Sequence, residues 1–158
     1  MGELEKKITA DYTTAMRAGD AARKDTLRLM RAALKSAEIE KRKLLADKGL
    51  PPAPLTDEEE AATLTRQAKQ RRESIELFAQ GGRQDLVEQE QAELTIIEGY
   101  LPRQLNAAEI EQIAREVIAG MGVSGAGAIG QVMRELMPRF KGRADGKAVN
   151  EVVRKILM

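Results

Sequence analysis

Apolar residues recur along this chain at spacings of three and four, with no useful stretch of strict alternation, so the pattern predicts helices and not strands. A short first helix is expected over Leu4–Met16, ended by Ala18-Gly19-Asp20. Asp20 suits the N-cap of a long second helix that runs to about Asp47, where Lys48-Gly49-Leu50-Pro51-Pro52-Ala53-Pro54 breaks it. Thr56-Asp57-Glu58-Glu59 reads as a capping box that opens a third helix to about Gln80. Gly81-Gly82 turns the chain into a fourth helix, from about Gln84 to Leu101, and Pro102 closes that half. A second capping box, Asn106-Ala107-Ala108-Glu109, precedes Ile110, Ile113, Val117 and Ile118. A glycine-rich turn over Gly120–Gly127 leads to a helix carrying Ile129, Val132, Met133, Leu136 and Met137. The last helix carries Val149, Val152, Val153 and Ile156. The expected fold is all-α in two parts: an N-terminal helical domain over 1–102 with a long-helix hairpin, and a C-terminal three-helix bundle over 103–158, hinged near Pro102.

The hairpin permits a register prediction. Leu64, Ala68, Arg71, Ile75 and Phe78 form one stripe, and Leu86, Glu90, Glu93, Ile97 and Tyr100 form another with the same spacing. Folded back about Gly82, the stripes place Phe78 against Leu86 and Leu64 against Tyr100. Arg71 then falls beside Glu90 or Glu93, an ion pair inside an otherwise apolar seam. A structural, register-fixing role is the preferred reading over a catalytic carboxylate pair.

Composition narrows the chemistry. Ala, Glu, Lys, Leu and Arg make up just over half of the residues, as long helices require. The chain has no His, so the default general base and the commonest zinc ligand are missing. It has no Cys, which removes disulfides, thiolate nucleophiles and iron–sulfur ligation. Neither a metal nor a cofactor is expected. The charges almost cancel, 26 basic against 25 acidic, so no global field attracts nucleic acid or a membrane. No apolar run approaches the roughly 20 residues that cross a bilayer, and Met1-Gly2-Glu3-Leu4-Glu5-Lys6 lacks the apolar core of a signal peptide. The expectation is a cytoplasmic protein without a membrane partner.

Two loops contain familiar strings. Gly125-Ala126-Gly127-Ala128-Ile129-Gly130 is a literal G-x-G-x-x-G, but a helix precedes it where a dinucleotide site needs a strand, so it reads as a loop opening the next helix. Gly142–Lys147 is one residue short of a Walker loop, and Ala148 stands where Ser or Thr would hold magnesium. As a phosphate contact the same turn is better placed, because Lys141, Arg143 and Lys147 surround glycines at a helix N-terminus. Local charge supports an anionic partner: residues 131–158 hold seven basic and three acidic side chains, and residues 17–43 hold nine and four. On the second helix Arg17 (in extended register), Lys24, Arg28, Arg31, Lys35 and Arg42 lie near one line, opposite Leu27, Leu29, Met30, Ala33, Leu34 and Ala37. Two Tyr, two Phe and no Trp are a poor basis for a base-stacking platform, so an RNA partner would be a folded one held by phosphate and shape. The Met residues after Gly120 read as core filler.

Four runs carry a resemblance. Lys69-Gln70-Arg71-Arg72-Glu73-Ser74-Ile75, Gly82-Arg83-Gln84-Asp85-Leu86, Tyr100-Leu101-Pro102-Arg103-Gln104-Leu105 and Lys141-Gly142-Arg143-Ala144-Asp145-Gly146-Lys147 resemble the YqeY family over nearly the whole chain. Its stand-alone members are similar to the helical and tail regions of the GatB subunit of the glutamyl/aspartyl-tRNA amidotransferase, whose tail helps to grip tRNA. The resemblance implies no catalytic residue for this chain, which lacks the kinase-like core and the glutaminase. A label of carbon–nitrogen ligase with glutamine as amide donor would reach it by homology alone.

These readings converge on a non-catalytic accessory protein that binds tRNA or another folded RNA through Lys141, Gly142, Arg143, Gly146, Lys147 and Arg154, with Arg28, Arg31 and Lys35 extending the footprint. The rival is a helical adaptor for a protein partner, with an apolar patch near Leu101, Leu105 and Ile110. An enzyme acting through Arg71, Glu90 and Glu93 is the third reading.

Overall fold

The computed structural model describes residues 1–140 and 143–158, and the chain is all-α, with seven α-helices and no strand among the described residues. It divides into two compact units, Met1–Leu101 and Pro102–Met158.

Unit 1 holds α1 (Glu3–Ala18), α2 (Ala21–Asp47), α3 (Asp57–Gln80) and α4 (Gln84–Glu98). Gly19 ends α1 in the left-handed region, φ 71°, which glycine enters without a Cβ penalty. The Asp20 carboxylate then accepts the Arg23 N–H at 3.2 Å and caps α2. The Thr56 box is complete: Thr56 Oγ1 accepts from Glu59 N, and Glu59 accepts from Thr56 N. Lys41 of α2 reaches the same Glu59 at 2.6 Å and the Pro54 carbonyl at 2.7 Å, which ties the proline-rich connector to the second helix. That ammonium, followed by the Thr56 N–H, holds the Glu59 carboxyl below the usual carboxylate range. The core joins Ile8 and Ala15 to Leu27, Met30, Leu34, Leu64, Ala68, Leu94 and Ile97.

Two sequence expectations change here. Leu29, placed with the apolar arc of α2, is 46% exposed, because the buried line runs through Leu27, Met30 and Leu34 and Leu29 lies well round the helix from it. The fourth helix stops at Glu98, before Leu101. Pro102 pushes the residue before it out of the helical region, and the last turn tightens, with Tyr100 N donating to Ile97 O and Leu101 N to Glu98 O.

Glu60 of α3 is fully buried. Its carboxylate accepts from Gly2 N at 2.9 Å and Glu5 N at 3.2 Å, while Asp57 accepts from Glu3 N at 3.1 Å. The acidic start of α3 therefore caps the open N-terminus of α1. A Cβ at Gly2 would meet Glu60 Oε1 at 2.4 Å, so the contact needs glycine there.

Unit 2 holds α5 (Ala107–Met121), α6 (Ile129–Phe140) and α7 (Gly146–Leu157), with a 3₁₀ turn at Ala126–Ala128. The Asn106–Glu109 box is also complete. Its core is Ile110, Ala114, Val117, Val132, Leu136, Phe140, Val149 and Val153, with further apolar residues around them. Met121, Met133 and Met137 pack against that core, whereas Met158, read as filler, is 86% exposed at the end of α7. The G-x-G-x-x-G string forms the 3₁₀ turn and the start of α6.

Candidate nucleic-acid interface

Helix α7 is sharply two-sided. Val149, Val153 and Leu157 are buried, and Lys147 and Arg154, seven residues apart, are exposed on the opposite face. Glu151 lies between those two cations and is exposed as well, so the stripe is interrupted by one acid. Arg154 Nε donates to Asn150 Oδ1 at 2.9 Å, which orients the guanidinium along the helix.

The turn before α7 is held by backbone. Arg143 N donates to Phe140 O at 2.9 Å, Leu105 N donates to Arg143 O at 2.8 Å, and Ala144 is buried in the unit 2 core. The Arg143 side chain is half-buried and its charge reaches Glu109. The carboxyl of Glu109 lies below its ordinary range, first because Arg103 donates to it at 2.9 and 3.2 Å, then because Asn106 N donates to it. The Asp145 side chain does not cap α7, so the first-turn N–H groups carry the usual positive end of the helix dipole. Gly146 opens the helix beside Met137. Lys141 and Gly142, which complete the sequence motif, lie outside the described residues.

On unit 1 the α2 stripe is present and partly paired with acids. Lys24 and Arg28 approach Asp25 at 3.9 and 3.3 Å, and Lys35 and Arg42 approach Glu38 at 3.8 and 3.0 Å. Arg31 lies 4.9 Å from the Tyr12 ring centroid. Each side chain remains near water, and these surface pairs leave the net positive charge of the stripe in place.

Arg71 sits between Glu90 and Glu93. Its Nη1 donates to both oxygens of Glu90, at 3.2 and 3.0 Å, and lies 2.8 Å from Glu93 without the alignment of a hydrogen bond. All three side chains are 15–20% exposed. Surface clefts of about 240 and 380 Å³ run between α2 and α3, and one of 290 Å³ lies between α5 and α6; none is lined by Arg71, Glu90 or Glu93. No group of acidic residues that could hold a metal ion occurs among the described residues.

Sequence reasoning missed two polar centres. Glu60 falls in helical register with Leu64 and Ala68, a signal that it faces inward. Tyr100, assigned to an apolar seam, donates its hydroxyl to Asp11 and accepts from Arg23 Nη2 at 3.3 Å, with Lys7 5.3 Å from its ring centroid. Burial first, then the Asp11 carboxylate, raises this phenol to about 12. The adaptor patch is also corrected: Leu101 is buried in the unit 1 core, Ile110 in the unit 2 core, and Leu105 packs against the latter.

The described residues define an all-α protein of two helical units. The model of Yqey-like proteins matches residues 5–157, and the chain belongs to that family. It is 28% identical over 155 residues to Altered inheritance of mitochondria protein 41, mitochondrial, of Pyrenophora tritici-repentis, covering 96% of this chain and 79% of that protein. It is 38% identical over 107 residues to the protein of the same name from Eremothecium gossypii, covering 68% of this chain and 53% of the relative. A shorter match, 48% over 46 residues, is to the E-type subunit of the glutamyl-tRNA(Gln) amidotransferase of Thermococcus sibiricus, covering 29% of this chain and 7% of that relative.

These relatives correct the cytoplasmic expectation. Both longer matches carry mitochondrial names, so an address inferred from the residues around Met1 does not stand. The ligase label gains nothing either, because a match to 7% of an amidotransferase component transfers no reaction. No helix of the described residues is long and apolar enough to cross a membrane.

Proposed function

We propose that this protein is a non-catalytic accessory factor that holds a folded RNA, tRNA foremost, through unit 2. The observation that carries the reading is the Arg143–Lys147 turn: a backbone fixed at both sides of Arg143 presents cations beside the N-terminal end of α7. Lys147 and Arg154 extend that surface along one helix face. The match to a tRNA-dependent amidotransferase component supports an RNA partner of this class. The scarcity of aromatic residues favours phosphate and shape contacts over base stacking. The α2 residues Arg28, Arg31 and Lys35 are secondary contacts at most, given their partners on unit 1.

Titration of labelled total tRNA against the full chain at several salt concentrations tests this reading. Contact with about four phosphates gives a log–log slope between −3 and −4, and unlabelled tRNA competes better than a single-stranded oligonucleotide of equal charge. An affinity that does not change with salt, or equal competition by the single strand, contradicts it.

A further inference from the structure

Beyond RNA binding, α2 offers a surface for a second copy of this chain. Away from the unit 1 core, Asp25, Leu29, Ala32, Ser36, Ile39 and Lys43 follow one another at alternating spacings of four and three. All six are exposed, and the two large apolar members, Leu29 and Ile39, are 46% and 55% exposed. A repeat of this kind drifts by only about 20° per heptad on a straight helix, so the six form one continuous seam along the solvent side of α2.

We propose that this seam pairs antiparallel with the same seam of a second copy, in the register where facing residue numbers add to 68. That register sets Leu29 against Ile39, Asp25 against Lys43 and Ala32 against Ser36. A two-fold axis level with Leu34 repeats every pair, as an isologous interface requires. The small residues fall at its centre, where they let the two backbones approach, the apolar pairs flank them, and the ion pairs close both ends. The charge pattern of the seam selects the direction. Parallel pairing in register would place Asp25 and Lys43 each against its own copy, whereas the antiparallel register makes two opposite pairs. Among the described residues Lys43 forms no ion pair within the chain. Asp25 meets Arg28 and Lys24 at the surface, where such contacts exchange at little cost. The edge that carries Arg28, Lys35 and Arg42 faces its own copy across the two-fold, and Glu38 offsets part of its charge.

Sedimentation velocity on the full chain and disulfide trapping test the proposal. The weight-average mass rises with concentration from 17.4 kDa toward twice that value. Asp25→Lys moves the midpoint up at least tenfold, and Asp25→Lys/Lys43→Asp restores it. Because the chain contains no Cys, Ala22→Cys and Ala46→Cys, exposed positions that extend the seam and face each other in this register, report the direction. Like positions would lie about 36 Å apart, so the mixed sample forms a disulfide-linked dimer and neither variant does so alone. A mass that stays at one chain throughout, or equal cross-linking in mixed and unmixed samples, overturns the proposal.

Discussion

Tyr100 and Glu60 show how single polar groups serve an apolar interior. The Tyr100 phenol is held neutral by burial and by Asp11, and its raised value, about 12, fixes the direction of the pH effect. A pKa raised in the fold contributes stability in full below the unfolded value of 10, and that contribution fades as pH rises through about 12. In a Tyr12→Phe variant, tyrosinate absorbance should therefore stay low through about pH 10.5 and rise together with unfolding; a midpoint near 10 in the folded protein contradicts the assignment. Glu60→Ala leaves the N–H groups of Gly2 and Glu5 without their acceptor. It should lower unit 1 stability by about 1–3 kcal/mol in urea denaturation. Neither role was legible as chemistry in the sequence. Tyr100 reads as one more apolar position, and the register of Glu60 signals only that it faces inward, because their partners lie 89 and 58 residues away.

Helices and their pairing were largely written in the chain, because caps and periodicity are local. Both capping boxes, the Asp20 cap and the glycine at the end of α1 appear where spacing places them. Arg71 meets both carboxylates of the opposing stripe, since one turn residue sets the register of a hairpin. The exposed Leu29 and the early end of α4 were less legible, for they depend on which neighbour covers a face and on Pro102. A structural role for this ion pair has a measurable consequence for stability. Arg71→Met should cost roughly 1–3 kcal/mol, less than a fully buried pair, while Arg71→Met/Glu90→Leu/Glu93→Leu should return to within about 1 kcal/mol of the parent. If the triple change is as damaging as the single one, the seam needs its charges for more than packing. In unit 2, Glu109 has a lowered pKa, so its contribution is present above the unfolded value of 4.5 and is lost as pH falls through the folded one. Glu109→Gln should therefore flatten the fall in thermal stability between about pH 5 and pH 3; an unchanged acid limb contradicts the Arg103–Glu109 account.

Across the whole molecule, near-neutral charge conceals an uneven distribution. On α2, Asp25 and Glu38 pair with Lys24, Arg28, Lys35 and Arg42, whereas among the described residues Lys147 and Arg154 of α7 form no ion pair and share their surroundings with Asp145 and Glu151. Counting charges along the sequence could not separate these cases, because the difference lies in which side chains reach one another. The most direct measurement is binding of labelled total tRNA at low and moderate salt, comparing the parent with Lys141→Ala/Arg143→Ala/Lys147→Ala and with Arg28→Ala/Lys35→Ala. An RNA-holding unit 2 predicts salt-sensitive binding by the parent, a loss of at least about tenfold in the triple variant and little change in the α2 variant. Equal binding by all three proteins, or no binding by the parent at low salt, contradicts it.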